Sequence, residues 1–288
     1  MHFQNLGQVK ISMPKAKSHL YVPANNQRLI ASAGKLRPGS LILDLEDGVS
    51  ENQKQSALDD LQNTILSVGH DDTWVRINSG ERGVIEAVAL SSMTGVKGIW
   101  VAKAEPSEHF RQIVELAEAR GLEVGVLIES AIGYLSRHEL LAPKLVSRVQ
   151  IGEYDLRGQI GMAQAGPNSD ADLRGVRLEI VISAVSKGVS ELVAGVSSNF
   201  ADLEIFEQSC RSMADLGFTG RACIHPSQVK ISDSVFPPTA EEVTWATQVL
   251  AEFESQTASG NGAYRDANGQ MADAATVRRA RHIMTLAN

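Results

Sequence analysis

Cysteine is scarce in this chain: among 288 residues only Cys210 and Cys223 occur, and not in C-x-x-C spacing. That argues against a disulfide framework and for two buried thiols in a reducing compartment. No apolar run approaches the ~20 residues that a membrane span needs, and the opening stretch, MHFQNLGQVKISMPKAK, lacks the apolar segment of a signal peptide. These absences predict a soluble, cytoplasmic protein that does not engage a membrane. A basic excess is missing too. The net charge is −7, which argues against nonspecific nucleic-acid binding, because that role needs a basic face. No G-x-G-x-x-G follows the first predicted strand, so a doubly wound dinucleotide-binding sheet, the alternative architecture, has no fingerprint here.

What is present is a regular alternation. SHLYVPAN, SLILDLED, TWVRIN, GIWVAK, EVGVLIES, RVQIGEYD and ACIHP each run strand-like and stop on a polar residue. With ELVAGVS (191–197) they make eight predicted strands, each followed by a helical pattern, in about 240 residues. Near-continuous apolar strands suit a parallel sheet covered on both faces. The predicted fold is therefore α/β, a (β/α)8 TIM barrel with a C-terminal loop-plus-helix extension. The expected domains are 1–257 for the barrel and 258–288 for the extension, which reads as a lid or an intersubunit arm. Predicted helices include a long amphipathic one at about 50–68, one around 133–142, one over 170–187 and one over 239–257, while IGEYDLRGQIG reads as a glycine-rich loop.

Parallel strands that alternate with helices point their C-terminal ends one way, and small-molecule chemistry gathers there. Glu129 and Asp155 close consecutive strands, so their carboxylates should be neighbours, and two carboxylates with open positions suit Mg²⁺. Arg76 emerges from the apolar run WVRIN, where a guanidinium is costly unless paired. It reads either as a clamp for a substrate carboxylate or as a partner for Asp44 or Glu46 on the next strand. Asp44 and Glu46, in LDLED, read as groups that orient Arg76 and metal-bound water. Lys103 could contact an anion, form an ion pair, or serve as a Schiff-base lysine. His225 in IHPSQ reads as an acid or base, or as a structural histidine before proline. Residues 1–43 hold Lys10, Lys15, Lys17, Arg28, Lys35 and Arg37 and no acid, either a basic tail with a solvated first helix or an anchor for a phosphorylated ligand.

LYVPANN, LILDLEDGVSENQK, WVRIN, VLIESAIGYL, IGEYDL, IHPSQV, FPPTAEEV and NGQMAD resemble, in this order and over essentially the whole chain, the citrate lyase β subunit-like family. That family belongs to the HpcH/HpaI aldolase and citrate lyase group of 2-oxo-acid enzymes. The resemblance implies a Mg²⁺-dependent barrel, commonly a homotrimer, that makes or breaks carbon–carbon bonds in citryl-, malyl- or citramalyl-CoA. Glu129 and Asp155 would hold the metal, and Arg76 would clamp the 2-oxo-acid carboxylate with Lys103 beside it. Lys17 and Arg28 would face the CoA phosphates, and Asp273 would act as acid or base from an adjacent subunit. A thioesterase, a metal-dependent aldolase without CoA, and a β subunit idle without its acyl-carrier partner are the competing readings.

Overall fold

The computed structural model describes residues 17–164, 169–198, 200–258, 264–265 and 271–287. Eight parallel strands close into a barrel in chain order: β1 (Ser18–Pro23), β2 (Ser40–Asp44), β3 (Thr73–Ile77), β4 (Gly98–Val101), β5 (Glu123–Ile128), β6 (Val146–Ile151), β7 (Glu191–Ala194) and β8 (Gly220–Cys223). β1 pairs with both β2 and β8, which completes the ring. Around it run α1 (Gln27–Leu36), α2 (Lys54–Asp59), α3 (Leu61–Val68), α4 (Gly80–Leu90), α5 (Glu108–Arg120), α6 (Ala131–Leu135), α7 (Arg137–Leu140), α8 (Glu153–Ile160), α9 (Ser169–Asp172), α10 (Arg174–Lys187), α11 (Leu203–Asp215) and α12 (Pro226–Val235).

Strand parity builds the interior. Tyr21, Ile42, Trp74, Trp100, Leu127, Val193 and Ala222 point inward and form one cluster. The two indoles occupy so much of this space that their neighbours must be glycine. A Cβ on Gly98 would lie 2.4 Å from Trp74, and one on Gly125 would lie 2.5 Å from Trp100. Alternate residues, such as Leu41, Leu43, Val75, Ile99, Val124 and Val149, point outward and pack under the helices. Below the indoles lies a buried ionic plug. Arg148, 1% exposed, donates to Ser40 Oγ, Asp72 Oδ2 and Glu191 Oε1 and lies 4.0 Å over the Trp74 ring.

Polar residues just past the strand ends start several helices. Asn26 accepts from Leu29 N–H, Ser107 from Phe110, Ser130 from Gly133 and Asp202 from Ile205. Each satisfies a backbone donor that the first helical turn leaves open.

Several expectations change. The single helix over 50–68 is a 3₁₀ turn followed by α2 and α3, which break at Asp60. The helix at 133–142 is the short pair α6 and α7. IGEYDLRGQIG is mostly helix: β6 stops at Ile151, and α8 starts two residues later. Helix α12 fills a stretch that carried no predicted element.

The chain divides between Phe236 and Pro237 into two compact units. The second contains α13 (Ala240–Ala258), α14 (Ala274–Ala287) and a two-stranded ladder of Tyr264–Arg265 with Met271–Ala272. Ala246 and Val249 of α13 pack on Val277, Ala280 and Ile283 of α14. Helix α13, grouped with the barrel in the sequence reading, therefore has its own apolar partner in α14. Most of the expected loop after residue 258 lies outside the described residues.

Candidate active site

A cleft of about 450 Å³ opens at the C-terminal ends of the barrel strands, and Asp44, Asp47, Arg76, Glu129 and Asp155 line it. The register explains the gathering. Asp44 and Arg76 are Cα partners across β2 and β3, and Glu129 follows the last residue of β5. Its neighbour across the strand gap is Gly152, where a Cβ would lie 2.4 Å from Glu129 Oε2. Only a hydrogen at that position leaves Glu129 its place.

Arg76 donates from Nε to Asp44 Oδ1 at 2.6 Å and from Nη2 to Asp44 Oδ2 at 2.6 Å. Its Nη1 lies 3.2 Å from Glu46 Oε2. Burial disfavours the guanidinium charge, but the Asp44 hydrogen bonds outweigh that and hold Arg76 firmly protonated. The paired reading of Arg76 therefore holds, and the side chain also lines the cleft. One edge of its fork is spent on Asp44.

Lys103 donates from Nζ to Glu46 Oε1 at 2.5 Å and to Asp47 Oδ1 at 3.2 Å. Burial lowers its pKa, but Glu46 and Asp47 outweigh that and raise it above the ordinary lysine range. A lysine so protonated is no Schiff-base nucleophile, and its ammonium is spent on the acids of LDLED. Its backbone has φ of 46°, an uncommon conformation for a residue with a side chain. In that conformation the Lys103 N–H donates to Glu129 Oε1.

Glu129 is 5% exposed. Burial pushes its carboxyl up to about 7; the Lys103 N–H opposes the shift, Glu46 and Asp155 add repulsion, and Arg76 offsets part of it. Asp155 faces the same cleft from a different position than expected. It sits in the first turn of α8, exposed, and not at a strand end. Among the described residues no group of three or more His, Cys, Asp or Glu side chains is arranged for a metal. What the cleft offers is a carboxylate pair. A hard divalent ion fits that pair: it would offset the burial and the added repulsion that lift Glu129, and it keeps its remaining positions for water and substrate oxygens.

Other predicted residues fall elsewhere. Lys17 precedes β1, so it stands at the end of the barrel opposite the cleft, about 20 Å away along a six-residue strand. Burial lowers its pKa, and Glu191 opposes the shift. The expectation that Lys17 meets CoA phosphates is thereby corrected, because strand direction carries it to the wrong end. Arg28 is exposed in the first turn of α1, on the cleft side, next to Leu29 in the cleft wall. Lys10 and Lys15 lie outside the described residues. His225 is structural: it caps α12, accepting from Ser227 N–H, and stacks on Phe200 with ring centroids 5.2 Å apart. Asp273 belongs to the second unit, where its Oδ1 accepts from the N–H groups of Ala275 and Thr276 at the start of α14; those bonds hold its pKa below the ordinary range.

The sequence reading missed Asp47, Gly152 and the pair Tyr21–Gln150. Tyr21 donates its hydroxyl to Gln150 Oε1 at 2.7 Å in the cleft floor. Their signal was strand parity: both point inward one layer below the charged residues.

The family model HpcH/HpaI aldolase/citrate lyase matches residues 17–226. The chain belongs to this family. Among its relatives, the mitochondrial citramalyl-CoA lyase of Rattus norvegicus is 30% identical over 291 residues, covering 93% of this chain and 85% of the relative. A (3S)-malyl-CoA thioesterase of Cereibacter sphaeroides is 29% identical over 252 residues, covering 85% and 86%. The crystal structure of CitE from Mycobacterium tuberculosis, in complex with magnesium, acetoacetate and coenzyme A, matches with a TM-score of 0.77 at 28% identity, covering 95% of this chain and 98% of that one. In this family member, then, Glu129, Asp155 and Arg76 share a cleft whose carboxylate pair has the donor set of a hard-metal site.

Proposed function

We propose that this protein is a Mg²⁺-dependent carbon–carbon lyase that cleaves a 3-hydroxyacyl-CoA of the citryl-, malyl- or citramalyl-CoA type into a 2-oxo acid and an acyl-CoA. The observation that carries the reading is the buried Glu129 beside Asp155 and Arg76 in one cleft of a citrate lyase family barrel. Glu129 and Asp155 would hold the ion, which stabilises negative charge on oxygen and holds substrate oxygens when bound. Arg76, fixed by Asp44 and Glu46, orients the substrate carboxylate with the part of its fork that Asp44 leaves over. Asp44 and Glu46 keep that guanidinium in place, and Lys103 holds Glu46 in turn.

Cleavage removes the hydroxyl proton, forms the oxo group, and passes the carbon–carbon bonding pair to the thioester enolate, which takes a proton at carbon. Asp273 is the proposed acid for that proton, delivered from an adjacent subunit of a homotrimer; the tail motif NGQMAD supports this. In the isolated chain it is half-buried and its pKa is held low by the N–H groups at the start of α14, so the role needs an environment that restores its proton. Arg28 is the proposed contact for CoA phosphates, on the strength of its place beside the cleft wall. Among the described residues no helix is long and apolar enough to cross a membrane, and we place the protein in the cytoplasm.

Incubation with Mg²⁺ and citramalyl-, malyl- and citryl-CoA, with 2-oxo acid and free thiol followed separately, tests the reading. A 2-oxo acid released with intact acyl-CoA, and lost with EDTA or in Glu129→Gln, is the expected result. Free thiol without 2-oxo acid would establish instead the thioesterase, which the resemblance to the malyl-CoA thioesterase favours. Turnover of hydroxy acids without CoA, or only with an acyl-carrier partner, would point to the remaining alternatives.

A further inference from the structure

We infer that Gln150 is a substrate-contact residue, its side-chain amide donating to the carboxylate that Arg76 clamps, and that Tyr21 is the positioning residue that turns the amide toward it. The inference rests on the lyase reading above and extends its site by a pair that carries no charge.

Strand β6 places Gln150 at the right depth. Val149 and Ile151 pack outward under the helices, so Arg148, Gln150 and Gly152 share the inward face at every second position. Arg148 belongs to the ionic plug, and Gly152 passes under Glu129. Gln150 lies between them, in the cleft floor. Its partner comes from across the barrel. Tyr21 of β1 donates its hydroxyl to Gln150 Oε1 at 2.7 Å, although β1 and β6 are not paired strands. The bond therefore spans the interior instead of following the ladder.

This bond fixes which end of the amide faces the cleft. Burial raises the Tyr21 pKa well above the ordinary phenol range; Asp44 and Glu129 add to that, and Arg76 opposes it. A phenol that keeps its proton donates it and so occupies Oε1, which leaves the amide nitrogen with its two donors as the other end. Gln150 is 3% exposed, and among the described residues its side chain bonds to the Tyr21 hydroxyl alone. Two N–H groups so deeply set are costly unless something in the cleft accepts from them.

The acceptor is fixed by what stands beside the amide. The Tyr21 ring that bonds Gln150 also lies under the Arg76 guanidinium, 5.1 Å from its centroid. Amide and guanidinium thus border one spot. Arg76 spends Nε and Nη2 on Asp44 and turns Nη1 toward Glu46. A carboxylate offers about four lone-pair sites, more than the rest of that fork and one ion can fill. The Gln150 amide supplies a further donor without adding charge. A purely structural pair explains less. The same interior layer holds Ile42, Leu127 and Val193, and an apolar pair of the same shape would fill it at almost no cost.

The test is calorimetric binding of Mg²⁺, and then of pyruvate, glyoxylate and oxaloacetate at saturating Mg²⁺, to the full-length protein, Gln150→Met, Tyr21→Phe and the double variant. Gln150→Met should weaken binding of the acid that the native protein takes about 10–100-fold, the usual loss of a hydrogen bond to a charged group. Its Mg²⁺ affinity should stay within about twofold, because no metal ligand is touched. Tyr21→Phe should lose about three- to tenfold, and the double variant should bind no more weakly than Gln150→Met, because the hydroxyl acts through the amide. With the thioester, KM should rise while kcat holds, since the carboxylate carries its charge in both substrate and transition state. Where Gln150→Met, with the Tyr21 hydroxyl orphaned, does not fold, the double variant takes its place. Unchanged acid affinity in the folded variant overturns the inference. So does a Mg²⁺ affinity that falls in step, or a kcat that falls with KM unmoved, since either marks a structural role. Acid binding that responds to Gln150→Met with no thioester cleaved would sink the lyase reading and leave the contact standing. No binding of any of the three acids by the native protein overturns both.

Discussion

At Arg76 two demands meet: a guanidinium emerging from an apolar strand must be paired, and a substrate carboxylate must find a fork. Asp44 and Glu46 satisfy the first demand and leave part of the fork for the second. Arg76→Met should strand both acids and cost about 3–5 kcal/mol of stability, the usual penalty for breaking a buried pair, read as a lower melting temperature. Glu46 acts through Arg76 and Lys103, so Glu46→Gln should reduce kcat/KM about 10–100-fold, as loss of a supporting group typically does. Glu129→Gln should cost more than that and abolish the response to Mg²⁺. Because Glu129 sits near 7 without metal, protons compete with the ion below that pH. The Mg²⁺ concentration for half-activation should therefore rise steeply from pH 7.5 to 6 and stay flat above about pH 8; a flat profile from 6 to 8 would place the ion elsewhere. The pairing of Arg76 with the LDLED acids was readable from sequence, because charge next to an apolar run demands an explanation. The fate of Lys17 was not, since a basic residue before a strand carries no mark of which barrel end it occupies.

At the scale of elements, the cleft depends on where β6 gives way to α8. The strand ends at Ile151, Gly152 passes close under Glu129, and α8 turns Asp155 back toward the cleft from its first turn. Gly152→Ala should displace Glu129 while leaving the barrel intact. Far-ultraviolet circular dichroism should be unchanged, while Mg²⁺ affinity should fall about 10–100-fold, a loss comparable to that of a positioning group. The sequence placed the helix start too late because Gly152, Gly158 and Gly161 make the segment read as a loop. Asp155 thus shares the cleft with Glu129, but from a helical turn and not from a strand end. The helix pattern over 50–68 was legible as amphipathic, but the break at Asp60 was not.

For the whole molecule, the two ends of the barrel have separate duties. The cleft end carries a carboxylate whose burial is costly. The other end carries the Arg148 plug, in which the charges find one another. Raising Glu129 above its ordinary 4.5 to about 7 means that the metal-free folded state holds a proton that the unfolded state has lost between those values. Stability should therefore fall as pH rises through that window and level off above 7. Mg²⁺ should raise the melting temperature at pH 8 and leave it unchanged at pH 5. Arg148→Met should lower stability by about 3–5 kcal/mol without altering the Mg²⁺ response, which separates the two ends.

The sequence by itself determined the eightfold strand–helix order, the direction in which the strand ends point, and the presence of Glu129, Arg76 and Asp155 at one face. Those features follow from local alternation of apolar and polar residues, which neighbouring side chains impose. Only the tertiary structure decided which charges are spent on one another, that Gly98 and Gly125 exist to admit Trp74 and Trp100, that α13 pairs with α14, and that the Lys103 backbone turns to brace Glu129. Those outcomes depend on contacts between residues distant in the chain, where burial and pairing energies are set by barrel closure.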